Sequence, residues 1–144
     1  MCLYLQKSYG HVVSYKKSSP FWQKLQKDGK VICYKVYNKD GGGNSSDHRH
    51  LTSKYQGMWI TGPGPIKSDR KNNKITKKEK NYGDVDKGIH VYITEAMAKG
   101  EFGVIVPVVC RKEHFVAMSG DDYFDEAVFT EVEITQKTWD TIVK

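Results

Sequence analysis

The sequence predicts a single α+β domain, a mostly antiparallel sheet of about six strands carrying two or three short helices. Three observations predict it. The chain has 144 residues, the size of one domain with one core. Apolar and polar residues alternate with a period of two in several short runs separated by Gly, Pro or polar clusters, which is the pattern of strands. Between these runs stand brief segments with a Ser or Thr before them and a Gly after them, as short helices require. Only 38% of the residues are hydrophobic, but nine Tyr, five Phe and three Trp bury much area each, so the core is expected to be aromatic and β-branched.

Taken in order, CLYLQ at 2–6 reads as a first strand. SPFWQKLQKDG then predicts a helix over 20–28: Ser19 caps it, Pro20 suits its first turn, Phe21 and Leu25 share a face, and Gly29 ends it. KVICYKVY at 30–37 is a strand with Val31, Cys33, Lys35 and Tyr37 on one side and Ile32, Tyr34 and Val36 on the other. YQGMWIT at 55–61 is strand-like, as is GIHVYI at 88–93, where Ile89, Val91 and Ile93 form the apolar side and His90 and Tyr92 a half-polar one. Thr94 caps a short helix that Gly100 ends. FGVIVPVVC at 102–110 is the most apolar run; Pro107 lacks a ladder donor and implies an edge or a bulge. HFVAMS at 114–119 is expected to pair with it as a hairpin, AVFTEVEI at 127–134 is a last strand, and Thr135 caps a final helix.

Two segments read as mobile loops within the domain 1–144: the Gly and Ser rich 38–50 and the Lys-rich 64–82. Charge is divided along the chain. Residues 1–82 hold 17 Lys and Arg against 5 Asp and Glu, whereas 83–144 hold 6 against 12. Such a two-faced chain attracts a phosphate-bearing ligand, nucleic acid or an acidic protein to its basic half. Lys71, Lys74, Lys77, Lys78 and Arg70 are the candidate phosphate contacts, with Tyr55, Trp59 and Tyr82 as flanking stacking surfaces. His90, Tyr92 and Lys35 are candidates to line a ligand cleft on the sheet. No apolar run is long enough to span a bilayer, and the three cysteines show no C-x-x-C spacing, so no membrane and a reducing cytoplasm are expected.

Catalytic patterns are sparse. His48 and His50, with Asp47, have the H-x-H spacing of a divalent-metal site, but a further ligand has to come from elsewhere, and no metal or other cofactor is expected. His50 and Thr52 look like one half of the paired motif of two-histidine phosphoesterases; the second half is missing, because Val91 and Tyr92 follow His90. Cys2 becomes an amino-terminal nucleophile only if Met1 is removed. CYKVY, KGIHVYITEA and TEVEI are similar in order and spacing to the core of ADP-ribosyltransferases. That resemblance implies Glu131 and Glu133 as the late E-x-E carboxylates, with Lys35 and His90 opposite them. Lys35 stands where that family wants Arg, and the middle S-T-S is absent.

YKVY, SKYQGMW, GIHVYITEA, VIVPVV, HFVAMSG and AVFTEVEI, within residues 30–134, together resemble small phage and prophage accessory proteins of unassigned function. The resemblance implies an accessory role, in some cases antagonism of host defence by binding a nuclease or sequestering a nucleotide signal. It carries over no functional residue. A small binding protein without catalysis is therefore the expectation, with an ADP-ribosyltransferase-like enzyme acting on nucleotides as the alternative. Oligomeric state is left open.

Overall fold

The computed structural model describes residues 3–4, 6–8, 11–13, 15, 17–39, 51–53, 59–60, 62–100, 104–119 and 126–142. The first half contains β1 (Leu3–Tyr4), β2 (Gln6–Ser8), β3 (His11–Val13), α1 (Pro20–Asp28), β4 (Lys30–Lys39), β5 (Leu51–Ser53), β6 (Trp59–Ile60) and β7 (Gly64–Lys67). The second contains α2 (Lys77–Tyr82), β8 (Asp84–Val85), β9 (Ile89–Tyr92), α3 (Glu95–Ala98) and β10 (Val104–Arg111). After a single 3-10 turn at Lys112–His114 come β11 (Phe115–Met118), β12 (Glu126–Phe129), β13 (Glu131–Ile134) and α4 (Gln136–Ile142).

The fold is α+β: among the described residues, one antiparallel sheet runs through seven strands in the order β11-β12-β9-β4-β10-β13-β7, with four short helices. β5 pairs with the end of β4, β6 pairs with β5, and two small ladders, β1 with β8 and β2 with β3, complete the pairing. α1 covers the span that its caps predict. The Ser19 hydroxyl accepts from the Trp22 N–H, and Gly29, at φ 76°, donates its N–H to the Leu25 carbonyl. Only glycine holds that left-handed conformation cheaply.

One side of the sheet is the main core. Val31, Cys33 and Tyr37 of β4 meet Val106, Val108 and Cys110 of β10, Ile89 and Val91 of β9, and Phe129, Val132 and Ile134, with Leu25 of α1 and Trp139 of α4 in the same cluster. On the other side Val36 and Tyr92 pack with Ala98 of α3, and Val116, Ala117 and Val128 pack with Val85 of β8. The alternation of the predicted strands survives in β4 and β9, but not across residues 127–134, where Phe129 joins Val132 and Ile134 in the main core and Val128 packs on the other side.

Several features differ from the sequence reading. Residues 114–119 do not form a hairpin with 102–110; β11 pairs with β12, Phe115 opposite Phe129. The predicted strand 127–134 breaks at Thr130, whose N–H donates to the His114 carbonyl, so β12 lies beside β9 while β13 lies beside β10. β10 with β11 and β12 with β13 therefore make one long bent hairpin whose halves enter different parts of the strand order. Pro107 is not at a bulge, and the edge it implies is a local one, since β10 pairs with β13 at Val109 opposite Glu133, beyond Pro107. Pro107 stands opposite Tyr34 in an unbroken register with β4 from Val104 to Arg111. Finally, 64–82 is not a featureless loop, since it holds β7 and α2.

Candidate functional site

The order in 68–88 has a cause in one side chain. Arg70 is buried, and its guanidinium uses all five of its N–H donors. Nε donates to the Asn72 carbonyl at 2.8 Å; Nη1 donates to Glu79 Oε2 at 2.6 Å and to the Lys87 carbonyl at 3.3 Å; Nη2 donates to the Lys74 carbonyl and to Glu79 Oε1, each at 2.8 Å. Glu79 does a second job. Its Oε1 accepts the Thr76 N–H at 2.9 Å while the Thr76 hydroxyl accepts the Glu79 N–H at 3.2 Å, the reciprocal capping box of α2. Burial alone would raise the Glu79 pKa, but the hydrogen bonds from Arg70 and Thr76, with the Arg70 charge, outweigh it and hold the carboxyl below its usual value.

The clasp is tied to the sheet. Ser68 donates its N–H and its hydroxyl to the Thr130 carbonyl, and Asn73 donates to the Glu113 carbonyl. Gly88, at φ 124°, lets the chain pass close to β12 and Arg70. A Cβ there would meet Val128 Cγ1 at 2.5 Å and the Phe129 carbonyl oxygen at 3.3 Å.

Around this clasp lies a groove of about 710 Å³, whose lining includes Lys71, Lys78, Thr76, Tyr82, Asp84 and Lys87, with Arg70 and Glu79. Lys71, Lys78 and Lys87 are exposed, and Tyr82 is 73% exposed, the most exposed of the large hydrophobic residues described. Lys74 and Lys77 are exposed too, outside the lining. Four of the predicted phosphate contacts are thus surface amines. Arg70 is the correction: every donor it has is taken within the protein, so it shapes the groove and has none left for a phosphate.

The predicted sheet cleft is closed. His90 is 6% and Tyr92 8% exposed, so the half-polar side of β9 is covered instead of wet. The His90 Nε2 lies 2.7 Å from the Asp86 carbonyl oxygen, which can only accept; Nε2 therefore carries the proton, and Nδ1 has no hydrogen-bond partner among the described residues. Burial lowers the His90 pKa; the Asp86 carbonyl opposes that, and the Lys35 charge adds to it. Lys35, 5% exposed, points into the main core, donates to the His90 carbonyl at 3.0 Å and lies 5.8 Å from the Tyr37 ring centroid. Burial pushes its pKa down to about 8.

The carboxylates named by the transferase resemblance stand elsewhere. Glu133 pairs with Arg111 at 3.0 Å and Glu131 faces His114 Nε2 at 3.4 Å, in a hollow that neither Lys35 nor His90 lines. Glu133 is opposite Val109 while Lys35 is opposite Val106, three residues along β10, so the two side chains leave opposite faces of the sheet. β4 and β10 separate β13 from β9, and the sequence could not have placed them there, because the break at Thr130 is a tertiary event. His48, His50 and Tyr55 lie outside the described residues. So does the Trp59 side chain, although its backbone belongs to β6. Among the described residues no three His, Cys, Asp or Glu side chains group as a metal site. None of the described helices is long and apolar enough to cross a membrane.

Fold and groove together define a small α+β protein with a ligand-sized surface cleft framed by three amines, three aspartates and one displayed aromatic ring. No family model, curated protein or solved structure matches the chain. Of the residues that line the cleft, the sequence reading named only Arg70, Lys71, Lys78 and Tyr82; the three aspartates, Thr76, Glu79 and Lys87 are among those that escaped it. For Glu79 the signal was there, in the T-x-x-E spacing from Thr76 that marks a helix start.

Proposed function

We propose that the protein is a small non-catalytic binding protein that engages a phosphate-bearing ligand at the groove framed by Lys71, Lys78 and Lys87. The groove itself carries the proposal: an ordered frame, built by the Arg70 and Glu79 clasp, presents three exposed amines around one cavity, beside the carboxylates of Asp69, Asp84 and Asp86, with further lysines of the same segment close by. Residues 67–87 contain seven lysines against three aspartates once the mutually neutral Arg70 and Glu79 are set aside, so the field around the groove favours anions. Sequestering a nucleotide signal, or shielding a nucleic acid in the host cytoplasm, is the role such binding would serve, in keeping with the resemblance to phage accessory proteins. A transferase would need Glu133, Lys35 and His90 around one cleft, and no observation favours it.

Calorimetric titration with nucleotides, tripolyphosphate and short single strands tests the proposal. Charge reversal at Lys71, Lys78 and Lys87 together is expected to weaken binding at least tenfold, since a hydrogen bond to a charged group contributes roughly 1.5–3 kcal/mol. Folding is expected to change little, because exposed substitutions shift stability by about 0.5 kcal/mol or less each. Equal binding by the triple variant, with the same salt dependence, would remove the groove from the function. An acidic protein that binds while every phosphate compound fails would replace the ligand class.

A further inference from the structure

We infer that the groove is a nucleotide site in which Tyr82 stacks on the base while Lys71 and Lys78 hold the phosphates; the inference rests on the phosphate-ligand proposal above. Tyr82 is the last residue of α2, yet its ring is 73% exposed and lines the groove. A ring of that size left in water forgoes about 2 kcal/mol of burial, so packing is not what it contributes to the fold. It is nevertheless firmly presented. The capping box fixes the start of α2, the buried Gly83 at φ 74° closes its end by donating to the Glu79 carbonyl, and Arg70 ties Glu79 to the loop beneath.

The lining is mixed, and the mixture selects the ligand. Inorganic polyphosphate or a uniformly acidic peptide would meet the three lysines but also the carboxylates of Asp69, Asp84 and Asp86, which offer only acceptors. A nucleotide satisfies both. Its phosphates take the amines, its ribose hydroxyls or exocyclic amine can donate to the aspartates, and its base has a flat face for the Tyr82 ring, which stacks on no aromatic ring among the described residues. The size agrees, because about 710 Å³ falls among sites that enclose one small molecule.

The test titrates the full chain with ATP, GTP, CTP, UTP, tripolyphosphate and an octathymidylate strand, using wild type, Tyr82→Ala and Tyr82→Phe. At least one nucleotide is expected to bind tenfold or more tighter than tripolyphosphate. Tyr82→Ala should weaken that nucleotide roughly 5- to 100-fold, the worth of one stacked base, and leave tripolyphosphate unchanged, while Tyr82→Phe retains binding. Nucleotides that bind no better than tripolyphosphate, or a Tyr82→Ala effect equal on both, would overturn the base-stacking inference and leave the phosphate proposal standing. A strand that outcompetes every nucleotide, with no dependence on Tyr82, would overturn it too. Silence from every phosphate compound would instead sink the phosphate proposal, and this inference with it.

Discussion

Arg70 and Lys35 are both buried cations, 8% and 5% exposed, and the protein accommodates them in opposite ways. Arg70 sits in the loop between β7 and α2, where a carboxylate and three carbonyls accept all five of its donors. Its planar fork remains charged and holds a polar segment in shape. Lys35 sits inside the sheet, where burial pushes its pKa down to about 8, so near neutral pH its proton is held at a cost. The same sign of charge thus serves as scaffold in one region and as strain in the other. The difference is that Arg70 meets a carboxylate that its fork matches, whereas for Lys35, which donates to the His90 carbonyl, burial is the larger influence on its charge.

The sharpest way to break that comparison is Arg70→Met. It strands Glu79 beside three carbonyls, and a loss of about 3–5 kcal/mol is expected in urea unfolding, as for other buried pairs robbed of one partner. Arg70→Lys is expected to rescue little, because an ammonium has three donors and no fork. Removing Glu79 as well should recover part of the loss. A cost under about 1 kcal/mol for Arg70→Met would mean that the loop is held by something else.

Lys35 gives the next effect, and its sign is opposite. Its folded pKa of about 8 lies below its ordinary 10.5, so between those values the unfolded chain binds more protons and stability rises with pH. Burial pushes the Cys110 and Tyr37 pKa values up, so above about pH 9 and then pH 10 their ionisation favours the unfolded chain and opposes the trend. Lys35 therefore dominates between about pH 8 and 9. Lys35→Met is expected to flatten that rise and to stabilise the protein at pH 7 by up to about 3 kcal/mol, checked by denaturant unfolding across pH. A destabilised Lys35→Met with an unchanged slope would show that the buried amine is no strain at all.

The smallest effect lies on the acid side. The His90 pKa is below its ordinary 6.5, so stability is expected to fall as pH drops through that value, because protonation places a second N–H, at Nδ1, in a buried setting. His90→Asn should make this fall shallower while changing little near pH 8. An unchanged acid limb would assign it to the carboxylates instead.

How much of this was legible depended on how local each cause is. α1 was readable to the residue, since Ser19, Pro20, Leu25 and Gly29 each act within one or two turns. β7 and α2 were not, although Thr76 and Glu79 spelled a helix start, because lysines mask any apolar period and the segment is ordered by Arg70 reaching across it. The candidate site divides the same way. Lys71, Lys78 and Tyr82 could be named from charge and aromatic placement, but the withdrawal of Arg70 into the structure could not.

The α+β class, the caps of α1 and the sides of β4 and β9 were thus readable from the sequence, because capping and alternation are set by neighbours a few bonds away. Only the tertiary structure decided which strands lie side by side, that Thr130 splits one strand into two, and that Glu133 ends on the opposite face from Lys35. The physical reason is that a strand's pattern specifies its faces but leaves its edges unlabelled. Which edges meet is settled by the packing of the whole core, where every strand has to bury its apolar side at once.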